Sequence, residues 1–315
     1  VRPCNDNDND QRKDLPMARF GVIDLGSNSV RLVIYEVKRR GEGAKPFRAL
    51  VDEKKMAGLA AYVSDGVFGD AGIRRATAVL EEHLKIARNL DCDRVDIFAT
   101  AVLRNCTNTK EAVAAIEQAI HTPVRVLSAA EEAHLGWAGA SIAQPLEAGT
   151  LIDIGGGSTE LTALSNEGRP RHHHGTGISL PQGSVSSYAQ FVSLVLPEPA
   201  ECRAIADAVH GHLSAVDDLA AYRAPQLYGI GGSVRAIAKM QAQALELPAK
   251  PPVVQRAAVD RLFDRLEHDR SAFAHSAVKA CPDRVHTLVP GMVIARTVME
   301  VLGADTITVC KYGIR

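Results

Sequence analysis

The chain of 315 residues is poor in aromatics, at 4%, and Trp137 is its one tryptophan. Nucleic-acid bases stack on aromatic platforms, and none is offered here. Excess charge is missing too: 36 Lys and Arg stand against 37 Asp and Glu, a net charge of -1. A chain that holds nucleic acid by its bulk field is basic. Nucleic acid is therefore not an expected partner, and any polyanion must be held by a local site. The six cysteines, at 4, 92, 106, 202, 281 and 310, include no C-x-x-C pair. A disulfide framework or zinc site is not expected, and reduced thiols in a cytosol are. The longest uncharged run, 175–197, contains Pro181, Gln182, Gly183 and several serines. A bilayer span needs about 20 mainly apolar residues. The expectation is a soluble cytoplasmic protein with no membrane partner.

Residues 1–16 lack any apolar period and are expected to form a disordered tail, too polar for a signal peptide. Their charges account for the whole net charge, so the rest of the chain is neutral. What remains is ordinary globular composition, 46% hydrophobic and 23% charged, long enough for two domains.

One pattern occurs twice. Gly21-Val-Ile-Asp24-Leu-Gly26-Ser27-Asn28-Ser29 is an apolar strand running into a turn of small residues, and Val30 to Val37 is a second strand. Thr150-Leu-Ile-Asp153-Ile-Gly155-Gly156-Gly157-Ser158-Thr159-Glu160 repeats it without a gap. The spacing indicates two similar domains and excludes a short-period solenoid. We expect them at 17–125 and 126–315, with the last helix and strand able to pack back on the first. Helix periods at 71–90, 113–120 and 129–140 alternate with strands at 95–99 and 124–127. The second half carries a strand at 226–230, helices near 233–247, 255–269 and 290–302, and a last strand at 305–310. This is α/β architecture with hairpin starts.

Both glycine turns suit phosphate. Successive backbone N–H groups there form a cationic concavity, and hydroxyls of Ser27, Ser29, Ser158 and Thr159 add donors. Asp24 and Asp153 each end a strand before such a turn, where a carboxylate can hold Mg²⁺ while phosphates complete its shell. Only Asp153 has an acidic partner, Glu160, across the turn; the equivalent of Glu160 in the first repeat is Arg31. Any metal is thus expected mostly in the second domain. A third cluster, Gly229-Ile-Gly231-Gly232-Ser233, runs from a strand into a helix that Ser233 can cap, and its N-terminus favours anions.

Ser128-Ala-Ala-Glu131 before a helix is a capping box, which gives Glu131 a structural task. Glu132 is left for another; taken alone it is a solvated acid of a first turn. Arg104 follows a strand end, where it can clamp phosphate or sit on the surface. His172-His-His174 is taken as a solvated strand end, since neighbours on a strand face opposite ways.

Taken together, GVIDLGSNSVRLVI, ATAVLRNCTN, VLSAAEEAHL, LIDIGGGSTEL, ISLPQGS, GIGGSVRAIA and TVCKYGIR resemble the Ppx/GppA family of exopolyphosphatases and guanosine pentaphosphate phosphatases. The resemblance runs from 21 to 315. It implies two actin-like domains with a cleft between them, and commonly a homodimer. It assigns Glu132 to activating the attacking water, Arg104 to the phosphoryl group, and Asp153 and Glu160, with Asp24, to Mg²⁺ or Mn²⁺. It assigns phosphates to Gly26–Ser29, Gly155–Thr159 and Gly231–Ser233. His134 replaces a family arginine, which is expected to make phosphate binding pH-sensitive. Crowding by like charge is expected to raise the pKa of Glu132. The expected substrate is inorganic polyphosphate, with guanosine pentaphosphate and tetraphosphate as the alternative. An ATP-dependent sugar-type kinase and a weakly catalytic sensor are the other classes considered. The family's C-terminal helical extension is not seen, so short chains are the expected substrate. Lys38-Arg39-Arg40, Lys54-Lys55, Arg74-Arg75, Arg169 and Arg171 are candidate guides for the polyanion.

Overall fold

A computed structural model describes residues 17–37, 47–171, 177–247, 249 and 252–315. Lys38-Arg39-Arg40, His172-His-His174 and the N-terminal tail lie outside the described residues. The chain divides into two compact units, one of 1–99 with 105–126 and the other of 100–104 with 127–315.

In the first unit, β1 (Ala18–Leu25) and β2 (Ser29–Val37) form the expected hairpin, extended by β3 (Phe47–Met56). A small hairpin, β4 (Val63–Ser64) and β5 (Val67–Phe68), leads to α1 (Asp70–Asn89). Helix α1 buries Ala76, Val79, Leu80, Leu84 and Ala87, the spacing of one helical stripe. Next come β6 (Arg94–Ala99) and, after the four-residue α2 (Ala101–Arg104) of the second unit, α3 (Thr109–Ile120) and β7 (Val124–Val126). The sheet order is β3-β2-β1-β6-β7, antiparallel in the hairpin and parallel beyond β1.

The second unit repeats this plan on a larger scale. Helix α4 (Ala129–Ala143) precedes the hairpin β8 (Gly149–Ile154) and β9 (Thr159–Leu164). Then follow β10 (Ile178–Leu180), α5 (Ser184–Phe191), α6 (Pro199–Ser214), β11 (Gln226–Ile230), α7 (Gly231–Ala244), β12 (Val253–Gln255), α8 (Arg256–His268), α9 (Arg270–Ala280), α10 (Val285–Leu302) and β13 (Thr306–Val309). The sheet order is β10-β9-β8-β11-β13-β12. Within the second unit β13 pairs with β11 and β12, and α10 packs on α5, α6 and α7.

Helix α10 with the turn before it, Pro282–Leu302, is long and apolar enough to cross a bilayer. Here it is the central core helix, with Val289, Met292, Val293, Ile294, Ala295, Val298 and Met299 all inaccessible to solvent. It begins at Val285, five residues ahead of Pro290, which lies inside it. None of the five described cysteines forms a disulfide.

Candidate active site

The two hairpins are built alike. In the first, Asp24 faces Arg31 across the strands; in the second, Asp153 faces Glu160. Each turn closes through its leading glycine, with Gly26 N–H to Ser29 O at 3.2 Å and Gly155 N–H to Ser158 O at 2.9 Å. A later segment then ties down the turn carbonyls. Ala57 and Gly58 donate to Asn28 O, and Ala60 donates to Ser27 O. Ser184 donates to Gly155 O, while Val185 and Ser186 donate to Gly156 O, at 2.8–3.0 Å. With its carbonyls occupied, such a turn presents its N–H groups, and those of Gly156 and Gly157 have no acceptor among the described residues.

Glycine is required where this docking occurs. A Cβ on Gly183 would stand 2.6 Å from the carbonyl of Gly156. Gly231 has φ +86°, and a Cβ there would meet Asp153 Oδ1 at 2.2 Å. The third glycine cluster thus lets the Asp153 carboxylate lie directly on backbone.

The hydroxyls are used differently from expectation. Ser158 Oγ donates to Glu160 Oε1 at 2.6 Å, joined by Ser179 Oγ at 3.0 Å. Thr159 is wholly buried and donates to Gln182 O at 2.7 Å. Thr159 and Ser158 therefore shape the hairpin and hold Glu160, and Thr159 has no surface to offer a phosphate. Ser233 does not cap α7. It is the helix's third residue, and its hydroxyl meets Ser184 Oγ at 3.3 Å. In the first turn, Asn28 has a buried side-chain amide nitrogen with no hydrogen-bond partner.

The capping box forms as read: Glu131 Oε2 accepts from Ser128 N–H at 2.8 Å, and Glu131 N–H donates to Ser128 Oγ at 3.2 Å. With Glu131 so engaged, Glu132 faces inward. It is 9% exposed, buried where a lone first-turn acid would be solvated. Arg104, from α2, is half-buried, and its Nη1 donates to a Glu132 carboxylate oxygen and to Leu127 O at 3.2 Å. Arg104 Nη2 stands 3.5 Å from Glu160 Oε1. A chain of contacts thus runs from the glycine turn through Ser158, Glu160 and Arg104 to Glu132. Beside it lies a small recess lined by Glu132, Ala133, Gly136, Leu151, Asp153, Glu160, Thr162 and Ile230.

Three carboxylates and one guanidinium share this site. The Glu160 carboxyl is pushed up to about 8, first by burial and then by the charges of Glu132 and Asp153, against the hydroxyls of Ser158 and Ser179. Surplus negative charge of this kind suits a divalent cation. Among the described residues no three His, Cys, Asp or Glu converge to hold a metal by themselves. An ion at Asp153 and Glu160 would therefore complete its shell with water or phosphate oxygens, the usual habit of Mg²⁺. Asp24 belongs to the first unit, and its cross-strand neighbour Arg31 binds Asp52.

Several expected cations are engaged. Lys55 pairs with Glu82 at 3.0 Å, Arg75 donates to Met56 O at 3.0 Å, and Arg171 donates to Leu164 O at 3.1 Å. His134 is exposed, with its ring 5.4 Å from that of Trp137. Sequence reasoning passed over Gln182. It is 3% exposed, has neither side-chain polar atom hydrogen-bonded, and sits in the strap that docks on the second turn. The ISLPQGS string was the signal.

The chain is similar to known proteins along most of its length. A guanosine-5'-triphosphate,3'-diphosphate pyrophosphatase of Pseudoalteromonas atlantica is 29% identical over 229 residues, which is 71% of this chain. The chain spans only 43% of that relative's length. Exopolyphosphatase 1 of Mycobacterium bovis is 22% identical over 304 residues, covering 94% of this chain and 86% of the relative. The crystal structure of an exopolyphosphatase from Cytophaga hutchinsonii superposes with a TM-score of 0.76 at 21% identity, covering 94% of this chain and 95% of that one. That likeness shows the fold, an α/β architecture. The family model for the Ppx/GppA phosphatase family matches residues 20–315, so the chain belongs to that family.

Proposed function

We propose that the protein is an exopolyphosphatase, a hydrolase that releases orthophosphate from the end of inorganic polyphosphate and prefers short chains. The observation that carries this reading is the line of contacts from the Gly155–Gly157 turn to the Arg104–Glu132 pair. The turn amides would seat the terminal phosphoryl group, and Arg104 would clamp it. Water placed by Glu132 would attack the terminal phosphorus in line, passing its proton to Glu132. The bridging P–O bond breaks, and the shortened chain leaves with the bond's electrons. Phosphoryl transfer needs positioning and charge neutralisation more than covalent help, and these residues offer both. Asp153 and Glu160 would hold a Mg²⁺ or Mn²⁺ ion, which when bound neutralises phosphate charge.

The alternative within the same chemistry is hydrolysis of guanosine pentaphosphate, favoured by the 29% match to a pyrophosphatase named for that substrate. The terminal phosphoryl group is the same in both. A cytoplasmic setting belongs to the proposal because the described cysteines form no disulfide, as suits a reducing compartment. Homodimerisation rests on the family resemblance alone, and light scattering in solution tests it.

The deciding experiment is orthophosphate release, side by side, from short polyphosphate, long polyphosphate and guanosine pentaphosphate with Mg²⁺. The reading expects the highest kcat/KM on short polyphosphate. Faster turnover of the guanosine compound would overturn the choice of substrate, and no release from any would leave a sensor.

A further inference from the structure

Arg104 and Glu132 occupy each other. One guanidinium nitrogen, Nη1, is taken up by Glu132 and the Leu127 carbonyl. The other, Nη2, is buried and makes no hydrogen bond, although Glu160 lies 3.5 Å away. The side chains are 15% and 10% exposed, so water screens the pair weakly. A guanidinium binds an oxyanion best with two parallel N–H groups, and here that fork is split. Likewise, a carboxylate oxygen that accepts from Arg104 has less capacity left for a proton of water. The backbone that carries Arg104 is fixed, since Ala101, Val102 and Leu103 are all buried. The guanidinium can therefore change partners by rotating its own side chain.

We propose that the Arg104–Glu132 pair is a resting lock on the phosphoryl subsite, released by the phosphoryl group itself. An incoming phosphoryl oxyanion takes Nη1 from Glu132 and also uses the idle Nη2. The same exchange frees the Glu132 oxygen for the attacking water. Seating the phosphoryl group and readying the carboxylate are then one event, and water is not activated in an empty site. This inference rests on the proposed function, because it assigns Arg104 to phosphate and Glu132 to water.

The lock makes Glu132 a competitor of phosphate for Arg104. Removing its charge should tighten phosphate binding, but only while Arg104 is present. Titration calorimetry with imidodiphosphate, whose P–N–P bridge resists hydrolysis, tests this in metal-free buffer on four proteins: wild type, Glu132→Gln, Arg104→Gln and the double variant. We expect Glu132→Gln to bind roughly tenfold tighter than wild type, the scale of one charge-assisted hydrogen bond no longer in competition. Between Arg104→Gln and the double variant the affinity should change by less than about twofold. An equal gain in both backgrounds would mean simple relief of charge repulsion and would overturn the lock, as would no gain at all. If none of the four binds imidodiphosphate, the proposed substrate class itself fails. Circular dichroism melts confirm folding, and Arg104→Lys replaces Arg104→Gln should the latter not fold, with a reduced gain expected because lysine has no fork.

Discussion

Arg104 Nη1 donates to the Glu132 carboxylate from a four-residue helix that belongs to the second unit, although the segments on both sides of it belong to the first. The guanidinium is therefore placed by chain topology rather than by a long element of its own. Replacing Arg104 with Ala should lower kcat/KM for phosphate release by about 100-fold or more, the range for losing a donor to transition-state charge. Arg104→Lys should recover little of it, because lysine lacks the planar fork. Steady-state kinetics on both variants checks this, and full activity in Arg104→Lys would show that only the charge matters.

Glu160 sets a pH dependence. Its folded pKa of about 8 lies above the ordinary 4.5. The folded state therefore holds a proton that the unfolded chain has released, and stability declines as pH rises from about 4.5 through 8. In metal-free buffer, wild-type melting temperature should fall across that window, and in Glu160→Gln it should stay much flatter. Thermal melts at half-unit pH steps test the difference. Metal should oppose the decline, because it favours the ionised carboxylate.

His83 offers the opposite sign in the first unit. It is wholly buried on α1, and neither ring nitrogen has a hydrogen-bond partner. Burial lowers its pKa below the ordinary 6.5. Its contribution to stability is present above 6.5 and lost as pH falls through the folded value. His83→Leu removes an orphaned polar group worth roughly 1–3 kcal/mol. The variant should melt higher than wild type, with a gap that widens from pH 8 to pH 5.5. A constant gap would show that His83 does not titrate on unfolding.

Two glycines separate packing from propensity. Gly231→Ala meets Asp153 Oδ1 in a left-handed backbone position, so both the fold and the Asp153 carboxylate must shift. It should lose stability by roughly 1–3 kcal/mol and lose activity beyond that. Gly211 lies within α6 with open space where a Cβ would stand. Gly211→Ala should gain about 0.5–1 kcal/mol with unchanged kinetics. Chemical denaturation of both proteins provides the comparison.

Much of this site was legible because its signals are local. The gapless alignment of Asp24 with Asp153 reappears as two hairpins in the same register, and the Ser128–Glu131 box closes as written. What escaped depends on partners far along the chain. The burial of Glu132 follows from Arg104, which only the fold brings near. The strap 178–191 has no apolar period, and its role comes from three N–H groups that reach the Gly155–Gly156 carbonyls. Strand β3 is an edge strand with the sequence FRALVDEKKM, and its exposed charges conceal the alternation. Pro290 marks a helix start when read alone, yet α10 begins a turn and a half earlier around a buried core.

The central claim is that Glu132 activates water for phosphoanhydride hydrolysis at the Arg104 subsite. Orthophosphate release from short polyphosphate with Mg²⁺, measured for wild type and Glu132→Gln, tests it most directly. The account predicts release by wild type and a loss of roughly 100- to 10,000-fold in kcat for the variant, the range for a positioned general base, with its melting temperature retained. Wild-type activity in Glu132→Gln, or no release by the wild type, would contradict it.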